Sequence, residues 1–282
     1  MNAILILANL TFREAIRRRI VLAGLALGIS FLVIYSIGLN FILIEVRQET
    51  LRDIPAQSIM NVEMQNWFLM AGLYAITFLS IAMAALLGAD TLAGEINSGT
   101  IQTIASKPIR RADVILGKWL GFAGLLGLYL LFMAGGVVSS MLIQSGYVAD
   151  NLLNGLGLIY LESLVIMTVT LMCSASFPAL ATGGIVFGLY GLAFIGGWIE
   201  RIGAAFQNAT AVNIGILTSL IIPSESLWSR AAFEMQTPLA GVLGVSPFAS
   251  SSVPSPLMIS YAVLYLIVAL ILSIRIFQKR DL

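Results

Sequence analysis

Apolar runs of about twenty residues alternate with short charged stretches along this chain. The alternation predicts membrane-crossing α-helices at about 20–44, 67–89, 115–143, 155–177, 179–199 and 258–277. A helix rises 1.5 Å per residue, so about twenty apolar residues span the hydrocarbon core. The stretch 164–199 is almost uncharged. As one helix it would run about 54 Å, nearly twice the membrane thickness, so a tight hairpin at Ser174–Pro178 is expected to divide it.

Between the spans the pattern changes. In residues 1–19, Ile4, Ala8, Phe12 and Ile16 share a helical stripe, with Leu5 and Ala15 beside it and Asn9, Arg13 and Arg17 on another face. This predicts a helix lying in the membrane interface. Its basic residues follow the apolar positions, the reverse of a cleavable secretory signal, so no cleavage is expected. A medium loop is predicted at 45–66, a charged loop at 90–114 and a long segment at 200–257. Within the last, the apolar run Val212–Ile222 is too short to cross and should re-enter, lie in the interface or pack on the bundle. Pro238, Pro247, Pro254 and Pro256 break the chain before the final span.

Charge orients this scheme. Arg13, Arg17, Arg18, Arg19, Lys107, Arg110, Arg111, Lys118, Arg275, Lys279 and Arg280 fall on one side, against Arg47, Arg52, Arg201 and Arg230 on the other. Basic residues near span ends stay cytoplasmic, so both termini are expected in the cytoplasm. The chain is then one transmembrane domain, residues 1–282, with 1–19 as the interfacial helix and 200–257 extracytoplasmic.

Composition fits lipid as the solvent: 59% of residues are hydrophobic, 10% are charged and the mean hydropathy is +0.97. A net charge of +1 offers no basic surface for nucleic acid. There is no histidine, which excludes histidine-based triads and zinc sites of the usual kind. The single cysteine, Cys173, cannot form an intramolecular disulfide.

The loop 90–114 is the least generic stretch. Leu92, Glu95 and Ile96 continue the second span beyond the membrane surface, Gly99 breaks that helix, and Thr100–Ser106 restart it with Ile101, Ile104 and Ala105 on one side. Lys107-Pro108 ends the restart. A short helix with an apolar face and a basic flank suits docking in a groove on a soluble partner.

At these residues the chain resembles the permease subunits of ABC-2 type transporters. The motif positions here are Glu95, Gly99-Thr100, Lys107-Pro108-Ile109, Arg111 and Gly117-Lys118, dense over a 24-residue stretch. The six-span layout, the N-terminal interfacial helix and the basic tail extend the likeness along the chain. Ile221-Ile222-Pro223-Ser224, followed by Leu227 and Trp228, looks like the branch of gliding-motility and copper-enzyme-maturation permeases. The resemblance implies an all-α polytopic fold of the ABC-2, type V exporter-like kind, in the plasma membrane. It implies a pathway formed by two permease copies, identical or related, and a separate P-loop ATPase docking through the loop 90–114. ATP and Mg²⁺ would then sit on that partner, with no cofactor and no enzymatic activity on this chain. The implied coupling residues are Glu95, Gly99, Thr100, Ile101, Ile104, Lys107, Pro108, Arg111 and Lys118. Gly94–Thr100 has the glycine spacing of a phosphate loop, but that loop needs lysine where Thr100 stands and a preceding strand.

Each of these residues has a plainer reading as well. Glu95 is otherwise a solvated carboxylate, Arg110, Arg111 and Lys118 are positive-inside anchors, and Pro108 is a helix stop. Glu162 is expected about two turns into the fourth span, near the headgroups, with the pathway or Arg201 as what it faces. Gly24/Gly28, Gly117/Gly121 and Gly184/Gly188 have the G-x-x-x-G spacing that lets helices approach closely.

An ATP-driven transporter, with export as its direction, is the expected function. An ATP-driven scaffold that pushes on an outer partner is the alternative. A lipid-modifying enzyme is disfavoured because no paired carboxylates or His/Cys ligands appear.

Overall fold

The computed structural model describes residues 3–50, 55–97, 110–237 and 253–279, with side chains for all of these but 45–50, 55–59 and 95–97. Its helices are α1 (Ala3–Ile16), α2 (Arg19–Thr50), α3 (Pro55–Asn97), α4 (Arg111–Ser145), α5 (Leu152–Ser174), α6 (Ala179–Ala205), α7 (Ala209–Ile221), α8 (Ser224–Met235) and α9 (Leu257–Lys279). No strand occurs among the described residues. Helices α2, α3, α4, α5, α6 and α9 are long and apolar enough to cross a membrane.

These six match the predicted spans, and the hairpin falls where expected. Helix α5 stops at Ser174, and Pro178 caps α6 with extended backbone, the conformation that proline permits just outside a helix start. The predicted loop 45–66 is a correction. Helix α2 runs on to Thr50 and α3 begins at Pro55. Charged residues end a hydrophobic run without ending a helix, and no glycine or proline lies in Glu45–Thr50. Proline at the first helical position is well tolerated.

The bundle has a basic end, where α1, the start of α4 and the end of α9 meet, and a hairpin end, where α7 and α8 lie. Helix α5 is the axis. It packs on α3, α4, α6, α8 and α9, and Ile159, Val165, Ile166, Met167 and Leu171 are at most 1% exposed. Helix α2 is peripheral and leaves Leu22, Ile34 and Phe41 open. Lipid is as apolar as leucine, so close van der Waals packing and polar contacts must hold such helices together. Three buried hydroxyls are satisfied within their own helices: Thr77 bonds Leu73 O at 2.9 Å, Ser163 bonds Ile159 O at 3.1 Å and Thr170 bonds Ile166 O at 2.7 Å.

Helix α1 lies along α4 rather than merely on the interface. A Cβ at Gly117 would stand 2.5 Å from Leu7 Cβ, and one at Gly121 would stand 2.7 Å from Ala8 O. Only glycine permits that approach. The packed face runs through Leu7, Ala8, Thr11 and Ala15, while Leu5, Leu10 and Ile16 stay exposed, so the face is rotated from the predicted stripe. Apolarity alone did not separate the α4-facing side from the lipid-facing one.

The 200–257 segment holds a re-entrant hairpin. Asn208 caps α7, its side chain accepting from Thr210 N and Ala211 N. Helix α7 folds back along α6, with Gly203 against Ala211, Gly215 against Glu200 and Gly196 against Thr218. The chain then bends by 108° into α8. Helix α8 returns between α5, α6 and α9, burying Leu227, Trp228 and Met235 completely.

Candidate functional site

Three regions of the bundle carry polar or concave features. At the basic end, the segment between α3 and α4 is held at both margins. Ser174 Oγ accepts from Leu92 N at 3.2 Å and Ala93 N at 3.1 Å and donates to Ala89 O at 3.0 Å. The end of α3 is thereby clamped to the end of α5. Arg111, the first residue of α4, donates to Phe277 O at 3.4 Å and Gln278 O at 3.0 Å. Those carbonyls belong to the last turn of α9, where a helix has acceptors to spare and a negative dipole end. Leu92, Val114, Ile115, Ala175 and Phe277 form a small core beneath both contacts.

Of the predicted coupling residues, Gly99, Thr100, Ile101, Ile104, Lys107 and Pro108 lie outside the described residues. Glu95 is helical, in the last turn of α3, as the sequence reading has it. Arg111 engages the α9 carbonyls, and Lys118, in the second turn of α4, is 6% exposed. The bottom of the bundle thus places Glu95 and Arg111 on either margin of the segment 98–109.

The second region lies in the middle of the bundle, and here two expectations change. Glu162 is the eleventh residue of the 23-residue α5 and is 1% exposed, so it stands at mid-span rather than near the headgroups. Arg201 does not pair with it. The Arg201 guanidinium instead bonds the Glu225 carboxylate and donates to Ser229 Oγ at 3.3 Å. It also lies over the Trp198 ring, 5.4 Å from the centroid, a favourable cation–π placement. Glu225 comes into reach because Gly197 leaves room: a Cβ there would meet Glu225 Cγ at 2.1 Å. Glu162 Oε2 has no hydrogen-bond partner among the described residues. Glu225 is a functional candidate missed in the sequence, where it reads as an acid of the extracytoplasmic segment 200–257. The faint signal was the Leu227-Trp228 pair beside it.

The third region is a cleft of about 540 Å³ between α2, α3 and α6, within the size range of small-molecule sites. Phe31, Tyr74, Phe78, Tyr190 and Phe194 line it, and its one aliphatic hydroxyl, Ser30, is spent on Ala26 O at 2.9 Å. Its aromatic rings form a ladder. Phe78 and Tyr190 lie 6.1 Å apart, Tyr190 and Phe194 6.5 Å, and Phe194 and Trp198 6.4 Å. The ladder ends on Arg201. Tyr74 links the cleft to α8, with its ring 4.7 Å from that of Trp228.

At the hairpin end, Asn66 Nδ2 donates to Tyr147 OH at 2.8 Å and to Met235 O at 3.0 Å. Thr237 donates to Glu63 at the same end. Helix α3 therefore caps the last turn of α8 and fixes the hairpin's return.

Similarity to known proteins agrees with this architecture. The family profile described as ABC-2 family transporter protein matches residues 5–282. No curated protein matches the chain. A six-span helical bundle matched over nearly its whole length by one family profile leaves a single assignment: this chain is a multi-pass membrane protein of the ABC-2 transporter family, the transmembrane component of an ABC transporter.

Proposed function

We propose that the chain is the permease half of an ATP-driven exporter, gripped from the cytoplasm by its ATPase at the segment between α3 and α4. The observation that carries this reading is the anchoring of both margins of that segment. Ser174 ties the end of α3 to α5, and Arg111 ties the start of α4 to the end of α9. A push on the segment is thereby delivered to four spans at once. Glu95 and Arg111 flank it, and Gly99, Thr100, Ile101, Ile104, Lys107 and Pro108 supply its contact surface. Lys118 braces the start of α4 from within.

The basic end faces the cytoplasm of a plasma membrane, with both termini inside, on the strength of its arginines and lysines. ATP and Mg²⁺ reside on the partner, and this chain binds neither. A second permease copy, identical or related, completes the pathway. Supporting such a contact, Gly183, Gly184, Gly188 and Gly191 of α6 meet nothing within 4 Å in this chain. The Ile221–Ser224 turn that leads into α8 supports kinship with the gliding-motility and copper-enzyme-maturation branch. A scaffold that pushes on an outer partner would use the α7–α8 hairpin. The aromatic cleft favours transport, since such a scaffold needs no concave apolar site.

Co-purification with the ATPase tests the proposal. Glu95→Ala combined with Arg111→Ala should leave the protein inserted and lose the bound ATPase or its stimulated hydrolysis. Unchanged assembly and hydrolysis would remove the proposed coupling role. Cysteines placed at Thr100 or Ile104 should react only from the cytoplasmic side, and labelling from outside would reverse the orientation.

A further inference from the structure

Helices α1 and α2 meet at an elbow rich in arginine: Arg13, Arg17, Arg18 and Arg19 stand against one acid, Glu14. The elbow is fixed in place. Arg17 N and Arg18 N donate to Glu14 O and Ala15 O at 3.1 and 3.0 Å, and Val21 N donates to Arg18 O at 3.0 Å. Ala15 before the turn and Val21 after it are buried in the core, while Arg17 and Arg19 between them are exposed. Glu14 is held by Arg18 at 2.7 Å. Arg13, Arg17 and Arg19 enter no salt bridge among the described residues, so three guanidinium groups face outward from one rigid corner.

Directly after Arg19 the surface of α2 turns apolar and stays open. Arg19, Leu22, Ala26, Ile29 and Val33 follow one another at helical spacing on one face, and all five are exposed. From Leu22 to Val33 this track runs about 16 Å at 1.5 Å per residue, the hydrocarbon depth of one leaflet. A basic head above an apolar track of that length matches one phospholipid in shape and polarity. Guanidinium groups pair with phosphate through two parallel hydrogen bonds, and they repel the choline of a zwitterionic headgroup. An acidic segment of a soluble protein would meet the arginines and leave the track uncovered. We infer that the elbow binds an acidic phospholipid, its phosphate on Arg13, Arg17 and Arg19 and one acyl chain along Leu22, Ala26, Ile29 and Val33. Each basic residue beside a membrane strengthens the attraction to acidic lipid about fivefold. The site is independent of the coupling role proposed for the segment between α3 and α4.

Native mass spectrometry of the full chain, released from detergent with equimolar dioleoyl-phosphatidylglycerol and dioleoyl-phosphatidylcholine, identifies the first lipid bound. The two lipids share their chains and differ in headgroup. Phosphatidylglycerol should bind at least about tenfold more tightly. Arg17→Gln with Arg19→Gln should cut that preference to about twofold or less, with the melting temperature unchanged because both side chains are exposed. Arg275→Gln with Lys279→Gln removes the same charge at the same end of the bundle and should leave the preference intact. A phosphatidylglycerol with a diazirine on its acyl chain locates the site without any variant. It should label α2 between Leu22 and Val33 in excess over the matching phosphatidylcholine probe. The inference is overturned by a wild-type chain without preference, or by a preference that survives the elbow variant. A preference that falls equally in both variants would show attraction to the basic end as a whole and would overturn it too, as would equal labelling of α2 by the two probes.

Discussion

Arg201, near the end of α6, and Glu225, in the first turn of α8, form a buried ion pair across 24 residues of sequence, their side chains 8% and 2% exposed. The pair pins the re-entrant hairpin to the bundle. Removing one partner strands a charge in a low-dielectric interior, which typically costs about 3–5 kcal/mol. Arg201→Met or Glu225→Leu should therefore lower the unfolding temperature in detergent sharply. The double variant should recover much of the loss, because paired apolar replacements strand nothing. Single variants with wild-type melting would show that the pair does not hold the hairpin.

Gly121 and Gly184 separate two uses of the same residue. An alanine at Gly121 puts its Cβ against the Ala8 carbonyl, and overpacking of this kind costs about 1–3 kcal/mol. Protease should then cut between α1 and α2 faster than in the wild type. At Gly184 nothing lies within 4 Å, so Gly184→Ala should keep or slightly raise monomer stability, by up to about 1 kcal/mol from helix propensity. Gly184→Leu should weaken self-association if a second copy packs there, measured by size-exclusion chromatography with light scattering.

Ser174→Ala removes one hydroxyl that serves Leu92, Ala93 and Ala89. A single hydrogen bond contributes about 1 kcal/mol, so global stability should fall little. The loss should appear in coupling: the ATPase still binds, while its hydrolysis becomes less responsive to the permease. Normal stimulation would mean that the α3–α5 clamp transmits nothing.

Asn66→Leu leaves the Met235 carbonyl and the Tyr147 hydroxyl without their shared donor. Hydrogen exchange should speed up across α8 and remain unchanged in α9. Faster exchange spread over the whole bundle would instead point to general destabilisation, and no change would show that α8 is held from elsewhere.

The membrane class and the number of spans were legible in the sequence because lipid imposes one requirement over about twenty residues, which apolar runs record directly. The Ser174–Pro178 turn was legible because proline restricts its own backbone and that of its neighbour. The family motif around Glu95–Lys118 was likewise readable from consecutive residues. Glu162, Arg201 and Glu225 were not resolved in this way. Sequence reading treated Glu225 as an outer-loop acid and Arg201 as a candidate partner of Glu162, since distance along the chain says nothing of a helix that turns back into the membrane.

Local sequence thus determined what crosses the bilayer, since every residue of a span meets the same solvent. Only tertiary structure decided which faces meet: the Gly117–Gly121 groove took α1, Gly197 admitted Glu225, and Arg201 chose its carboxylate. Those choices depend on gaps of a few ångströms between helices distant in sequence, which hydropathy averages away.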